Sequence, residues 1–271
     1  MIVVQICGGI GNQLFQYAYA RALQERGNKV CLAAVFYTNY RTPRKYCLDK
    51  FRINMKRSYW LEKIISPLID NDTIFKVRNS HIYEELEVKF IPELLEIRGN
   101  GYVIGMFQDE RYFKSIGFEI KKEIYPKKKI KISTELRNIL KNENAVSVHI
   151  RRGDYKQFNN LLSMTYYTNA IDLINKEIDN AYFCVFSDDL EWVKKHINFG
   201  NNVFFVNEDR KLMDYEELMI MSRCKHNIIA NSTFSWWGAW LNNNPDKIVI
   251  GPRKWDARCN INIMPNEWIK V

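Results

Sequence analysis

The sequence predicts an α/β protein made of two parallel-sheet halves, and three observations carry that reading. The chain opens on a strand, a glycine loop, a helix and a second strand between Ile2 and Val35. Beyond residue 133, apolar runs of strand length alternate with helical segments, the order that builds a parallel sheet with helices on both faces. Between the two lies KKEIYPKKKIKIS, Lys121 to Ser133, with six lysines around one proline. That composition reads as a linker in preference to a nucleic-acid patch. The expected domains are 1–128 and 129–271, and two such halves leave a cleft suited to a charged ligand.

Taken in order, Ile2 to Ile6 is an apolar run of strand type and Cys7 to Gln13 a tight loop. Leu14 to Arg26 then has helical spacing and stops before Gly27, and Lys29 to Val35 resumes as a strand. Residues 36–100 are aromatic and basic, with helical pieces expected around 59–69 and 83–97. Tyr102 to Phe107 reads as a buried strand, and DERYFKSI after it as a helix start. In the second half, strands are expected at 145–150, 181–187, 203–206, 226–230 and 247–250. Helices are expected near 164–178, 189–197, 211–222 and 234–242. No internal repeat or low-complexity tract interrupts this order.

Composition narrows the partners. A hydrophobic fraction of 46% with 14% aromatics marks a globular chain,. A formal charge of +9 favours an anionic partner such as a nucleotide, a nucleic acid or an acidic membrane surface,. Six scattered cysteines show no CxxC or Cys/His ligand spacing, which suits a reducing cytoplasm and argues against structural zinc. MIVVQICGGIG reads as a first strand, not a signal peptide. No apolar run approaches the roughly 18 residues that a membrane span needs, so the chain reads as soluble or at most peripheral.

Four motifs carry candidate chemistry. VSVHIRRGDY, Val146 to Tyr155, reads as a buried strand ending in His149, Arg151, Arg152 and Asp154. Adjacent guanidiniums at a strand's carboxyl end sit where open α/β sheets bind ligands and clamp phosphate oxygens in a fork. An isolated RRxD would more often be a surface ion-pair cluster; the other motifs change those odds. GGIGNQ, Gly8 to Gln13, matches neither a complete dinucleotide fingerprint nor a P-loop. Gly9 and Gly11 still let backbone N–H groups approach an anion, and Asn12 and Gln13 add neutral donors. Ser187, Asp188 and Asp189 follow another strand, where a carboxylate accepts from a guanine edge or ribose hydroxyls, unless it simply caps the next helix. The acids are adjacent, so no metal-binding DxD is formed. NSTFSWWGAWL, from Asn231, offers Asn231, Ser232 and Thr233 at a helix start as a second anion cradle. Phe234 and the tryptophans behind it read mainly as a buried helix that also lines the pocket. No Ser-His-Asp order or GxSxG elbow appears.

GGIGNQLFQYAYARAL, FQDERYF, VHIRRGDY, FSDDLEWV and NSTFSWWGAWL, in this order, resemble the bacterial-type α-1,2-fucosyltransferases of glycosyltransferase family 11. The resemblance runs from Met1 to about Trp255 and is weakest over 36–100. It implies a GT-B-like enzyme, two Rossmann-type domains facing a central cleft, with the acceptor side in the first and the GDP-sugar site in the second. It further implies inverting transfer from GDP-β-L-fucose to the 2-hydroxyl of a terminal galactose, with no metal or other cofactor.

By the same resemblance Arg151 and Arg152 clamp the pyrophosphate, and His149 and Asp188 lie near guanine or ribose. Ser232 and Thr233 hold the phosphate tail with Asn231 and Phe234 beside them. Asn12, in the loop with Gly9, Gly11 and Gln13, approaches the β-phosphate and fucose. Asp154 is the nearest candidate for general base, with the departing phosphate as the other. The implied partners are GDP-fucose and a galactose-containing glycan acceptor, lipid-linked or free, and the expected setting is the cytoplasm, with or without peripheral contact to the inner membrane face. The alternatives are another linkage, another GDP-sugar, a non-catalytic sugar-nucleotide sensor, or a basic protein binding nucleic acid or an anionic surface. The last of these lacks any RNA-binding aromatic motif or basic recognition helix.

Overall fold

In the computed structural model of the chain, the described residues are 1–38, 44–65, 81–85, 87–156, 160–208, 212–256 and 261–271. The side chains of Phe36, Thr38, Ile64, Ile65, Asn142 and Asp154 fall outside that set. The chain divides into two compact units, Met1–Lys128 and Lys129–Val271. Each is an α/β unit around a wholly parallel sheet.

The first unit runs β1 (Ile2–Gln5), α1 (Ile10–Glu25), β2 (Val30–Ala33), α2 (Val35–Thr38), α3 (Tyr59–Ile65), β3 (His81–Glu84), β4 (Gly101–Ile104) and α4 (Gly117–Glu123). Its sheet order is β2-β1-β4-β3, every pair parallel. β1 is buried along its whole length, as a central strand covered on both faces must be. α1 is buried on nearly every side and takes two amides, Gln13 and Gln16, inside with its apolar residues.

Three expectations need correcting here. α1 begins at Ile10, not Leu14: Gly8 turns the chain at φ +77° and Gly9 serves as N-cap, so Gly11, Asn12 and Gln13 ride on the first helical turn. The segment 83–97 is not helical. Its start is the edge strand β3, in register from His81 with Gly101 to Glu84 with Ile104, and Pro92 opens only a short 3-10 turn, Pro92–Leu95. Pairing with a buried neighbour outweighs the helix propensity of a Glu-rich run. Of the helix expected over 59–69, α3 occupies Tyr59–Ile65, and residues 66–69 lie outside the described set. DERYFKSI forms two 3-10 turns before α4.

The lysine-rich stretch is not a free linker at its beginning. Lys121 and Lys122 close α4. The chain then lies antiparallel on residues 50–52: the Arg52 N–H donates to the Tyr125 carbonyl at 2.9 Å and the Lys127 N–H to the Lys50 carbonyl at 2.8 Å.

The second unit runs α5 (Thr134–Asn142), β5 (Asn144–Ile150), α6 (Met164–Glu177), β6 (Ala181–Ser187), α7 (Leu190–His196), β7 (Val203–Phe205), α8 (Asp214–Met221), β8 (His226–Ile228), α9 (Thr233–Trp240), β9 (Val249–Gly251) and β10 (Ile269–Lys270). The sheet order is β10-β9-β8-β5-β6-β7, all parallel. The chain moves outward from β5 to β7, then returns to lay β8 on the other side of β5. That reversal is the topological switch point at which doubly wound sheets open a ligand crevice. Val146, Val148, Phe183, Val185 and Ile228 pack with Ala170, Ile171 and Ile174 of α6 in one core cluster. Ser133 and Ser163 cap α5 and α6 by accepting the N–H of Leu136 and Tyr166, each cap worth about 1 kcal/mol. α5 and β10 were not expected: the lysine run obscured the first, and the second is too short to show a period. No described helix is long and apolar enough to cross a membrane.

Candidate functional site

Three strand ends of the second unit meet at the switch point. β5 pairs with β6 from Asn144 with Ala181 to Ile150 with Ser187, and on its other edge with β8 from Val146 with His226 to Val148 with Ile228. The loops that follow these strands are the RRGDY, SDD and NST motifs, so the topology alone makes them neighbours.

Their side chains are tied to one another. Arg151 Nη1 lies 2.7 Å from Asp188 Oδ2, and the Arg152 backbone N–H donates to Asp188 Oδ1 at 2.8 Å. One carboxylate therefore holds the first arginine by its side chain and the second by its main chain. The Arg152 guanidinium turns to Asp189, Nε to Oδ2 at 3.4 Å, and lies over the Trp192 ring with Cζ 3.3 Å from its centroid, a cation–π contact. Lys156 Nζ reaches the same Asp189 oxygen at 2.7 Å and holds that carboxyl below the usual carboxylate range. The other Asp189 oxygen caps α7 by accepting the Trp192 N–H at 3.4 Å. Of the two adjacent acids, Asp189 is thus the helix cap and Asp188 the one that faces Arg151.

The β8 loop joins from the other side. The Tyr155 hydroxyl donates to the Asn231 carbonyl at 3.0 Å, and Asn231 Nδ2 donates to the Asn160 carbonyl at 3.0 Å. Asn231 is buried and acts as a brace between loops instead of presenting its amide outward. Ser232 caps α9, accepting the Phe234 N–H, and Thr233 is the first helical residue. The helix dipole places partial positive charge there. Phe234 sets its ring edge-on to His149, centroids 5.3 Å apart.

His149 itself is 5% exposed, and its Nδ1 has no hydrogen-bond partner among the described residues. Burial, reinforced by the nearby Arg151 charge, pulls its pKa down to about 3, so the imidazole is neutral at physiological pH. Asp154 opens a 3-10 turn, Asp154–Lys156; its side chain lies outside the described residues. No group of three or more His, Cys, Asp or Glu among the described residues is placed to hold a metal ion.

Gly153 has a steric reason to be glycine. A Cβ there would sit 2.7 Å from Asp188 Oδ2, and that oxygen is already bound to Arg151. Gly153→Ala is expected to push Asp188 off the arginines, costing about 1–3 kcal/mol as overpacking does. Ligand affinity should fall alongside the melting temperature; calorimetry and a thermal melt on the same preparation check this, and an unchanged pair would contradict it.

One acid escaped the sequence reading. Glu217, on α8, feels Asp188 and Asp214 from a desolvated position. Burial first, then those two charges, push its pKa up to about 7 against a lowering hydrogen bond from Asn207. Near neutrality it both donates and accepts. Nothing in DYEEL separates it from a solvated acid, and only its burial does.

In the first unit the glycine loop departs from expectation. Gln13 is fully buried: Nε2 donates to the carbonyls of Gly8 at 3.1 Å and Lys45 at 2.8 Å, and Oε1 accepts the Cys47 N–H at 2.8 Å. With both ends of its amide committed to main chain, it braces the loop. Gly11 is buried in the same turn, whereas Gly9 is partly exposed. Asn12 is partly exposed, its Oδ1 accepting from Gln108 Nε2 at 3.1 Å. A Cβ on Gly8 would stand 2.6 Å from Asn12 Nδ2. Gln108 follows Phe107, which holds φ +50°, a costly conformation for a bulky residue. Glu85 fixes it by accepting the N–H of Met106 at 2.8 Å and of Phe107 at 2.7 Å.

Similarity to known proteins bears on the same motifs. The family model described as glycosyl transferase family 11 matches residues 51–271. The chain is 33% identical over 296 residues to the alpha-1,2-colitosyltransferase of Escherichia coli, covering 100% of this chain and 99% of that protein. It is 33% identical to the O-antigen biosynthesis glycosyltransferase WbnK of Escherichia coli, covering 98% and 99%. The galactoside 2-alpha-L-fucosyltransferase Sec1 of Mus musculus is 24% identical over 89% of this chain and 64% of its own length. With paired arginines at the switch point of a parallel sheet and relatives that span its whole length, the chain belongs to glycosyl transferase family 11.

Proposed function

We propose that this glycosyltransferase moves L-fucose from GDP-β-L-fucose to the 2-hydroxyl of a terminal galactose in a glycan, with inversion at the anomeric carbon and without a metal. The observation that carries the reading is the arginine pair at the end of β5, held by Asp188 and Asp189 beside the N-terminus of α9. Two fixed guanidiniums and a helix start form a site for a diphosphate, and they supply the positive charge that a divalent cation would otherwise bring.

Breaking the fucosyl–phosphate bond builds negative charge on the departing GDP and oxocarbenium character on the sugar. Donors already aimed at that phosphate stabilise this state more than the ground state. His149 and Asp188 take the nucleoside end, and the unpartnered Nδ1 of His149 supports that placement, since buried polar atoms are nearly always paired. Ser232 and Thr233 take the phosphates. The proton of the acceptor hydroxyl goes to Asp154 or to the departing phosphate. The galactose acceptor follows the named activity of the mouse relative.

A second reading is colitosyl in place of fucosyl transfer, favoured by the full-length identity with the Escherichia coli colitosyltransferase. The test begins with calorimetric titration of GDP, with and without EDTA, against ADP and UDP. GDP-selective binding that ignores EDTA is the expected result, followed by turnover of GDP-fucose on galactosides. Absent GDP binding, or binding that EDTA abolishes, would overturn the metal-free clamp. Preference for the colitosyl donor would install the second reading.

A further inference from the structure

α4 has two faces of unlike character. Inward, Ile116, Ile120 and Ile124 recur at four-residue spacing and are buried in the first unit. Outward, Phe118 and Lys122 form a one-turn stripe on α4 with half-buried Lys121 at its side, and exposed Tyr125 follows two residues past the helix end,. An outer helical stripe is ordinarily polar throughout, yet Phe118 is 66% exposed and Tyr125 48%. Cations are interleaved with these rings. Lys122 Nζ lies 3.9 Å above the Phe118 ring and Arg52 Cζ 4.8 Å above that of Tyr125. The antiparallel pairing of residues 50–52 with 125–127 fixes Arg52 beside the stripe, and exposed Lys127 and Lys128 extend it. The nearby acids do little to cancel this charge. Glu123 is turned to Arg21 and Tyr17, Asp49 pairs with Lys50, and Glu119 is half-buried.

We propose that this stripe is a docking surface for an anionic lipid bilayer. Exposed aromatic rings among lysines match the headgroup boundary, where rings enter and long cationic side chains snorkel to phosphate. Each cation near such a surface adds an attraction that salt screens. Single-stranded nucleic acid is the other polyanion to consider, but it needs open ring faces for stacking. Here one face of the Phe118 ring and one of the Tyr125 ring are already taken by a cation, which halves the stacking surface and leaves the other face and the edge as apolar contact.

The test is co-sedimentation of the full chain with vesicles of phosphatidylcholine, with or without about one-third phosphatidylglycerol. Binding is expected only with the anionic lipid, reduced at least about tenfold by high salt or by Lys122→Glu/Lys127→Glu/Lys128→Glu, as the loss of several surface cations dictates. Phe118→Ser/Tyr125→Ser should weaken binding at unchanged charge. GDP affinity measured on the same variants reports that they remain folded and answers separately for the nucleotide site. No binding to anionic vesicles by the parent chain, equal binding by the charge-reversed variant, or tight binding of single-stranded RNA without vesicle binding would each overturn the proposal.

Discussion

Arg152→Ala is expected to lower turnover by about 10²–10³, the loss of roughly 2.7–4 kcal/mol typical of removing one donor to a developing oxyanion. The surroundings predict that the fold survives. Asp189 keeps Lys156 at 2.7 Å and goes on capping α7, so no carboxylate is stranded. The truncated side chain uncovers one face of Trp192 on a partly solvated edge. Arg152→Lys keeps the charge but gives up the planar fork, and it should fall between the two. Turnover at saturating donor, GDP affinity and a thermal melt distinguish the cases. A folded Arg152→Ala enzyme with near wild-type turnover would remove the clamp from the mechanism.

Stability should depend on pH through buried His149 and half-buried Glu217, which pull in opposite directions. For His149 the folded pKa of about 3 lies below the usual 6.5. Between those values the unfolded chain binds a proton that the folded one refuses. Stability is therefore complete above pH 6.5 and is lost on acidification, by up to about 5 kcal/mol near pH 3. For Glu217 the folded pKa of about 7 lies above the usual 4.5. Here the folded chain holds the proton more tightly, so its contribution is present below pH 4.5 and lost as pH rises through 7, by up to about 3 kcal/mol.

Between pH 4.5 and 6.5 the two trends oppose each other and flatten the profile. Glu217→Gln removes one of them. Its stability relative to the parent should rise by about 3 kcal/mol between pH 4.5 and 8, read as the change in urea midpoint. Comparing the two pH values within one variant cancels any packing change the substitution makes. Parallel profiles for variant and parent would contradict the assignment.

What could be read from the sequence was whatever a short segment specifies by itself. Val146 to Ile150 is an apolar run that could scarcely be other than a buried strand, and the arginines at its end inherit their position from it. The NST and SDD motifs follow strands of the same kind. The roles within each motif depended on tertiary partners. Asp188 and Asp189 look alike until one caps α7 and the other meets Arg151. Gln13 resembles Asn12 until its amide is seen spent on three main-chain groups. Glu217 has no local mark at all, because its unusual proton affinity comes from burial and from acids elsewhere in the fold. β3 was misread for the same reason: its strand conformation is imposed by β4.

The arginine cluster also has a history within each folding event. Arg151 and Asp188 are brought together only when β5 and β6 pair, and Tyr155 reaches Asn231 only after the chain has travelled out to β7 and come back as β8. Parallel strands cannot be zipped from a tight hairpin; every pairing waits for a long loop to close. A chain still emerging during synthesis, or one halted before β8, therefore carries the arginines in full and the assembled cluster around them not at all. That cluster arrives late, as a property of the closed sheet.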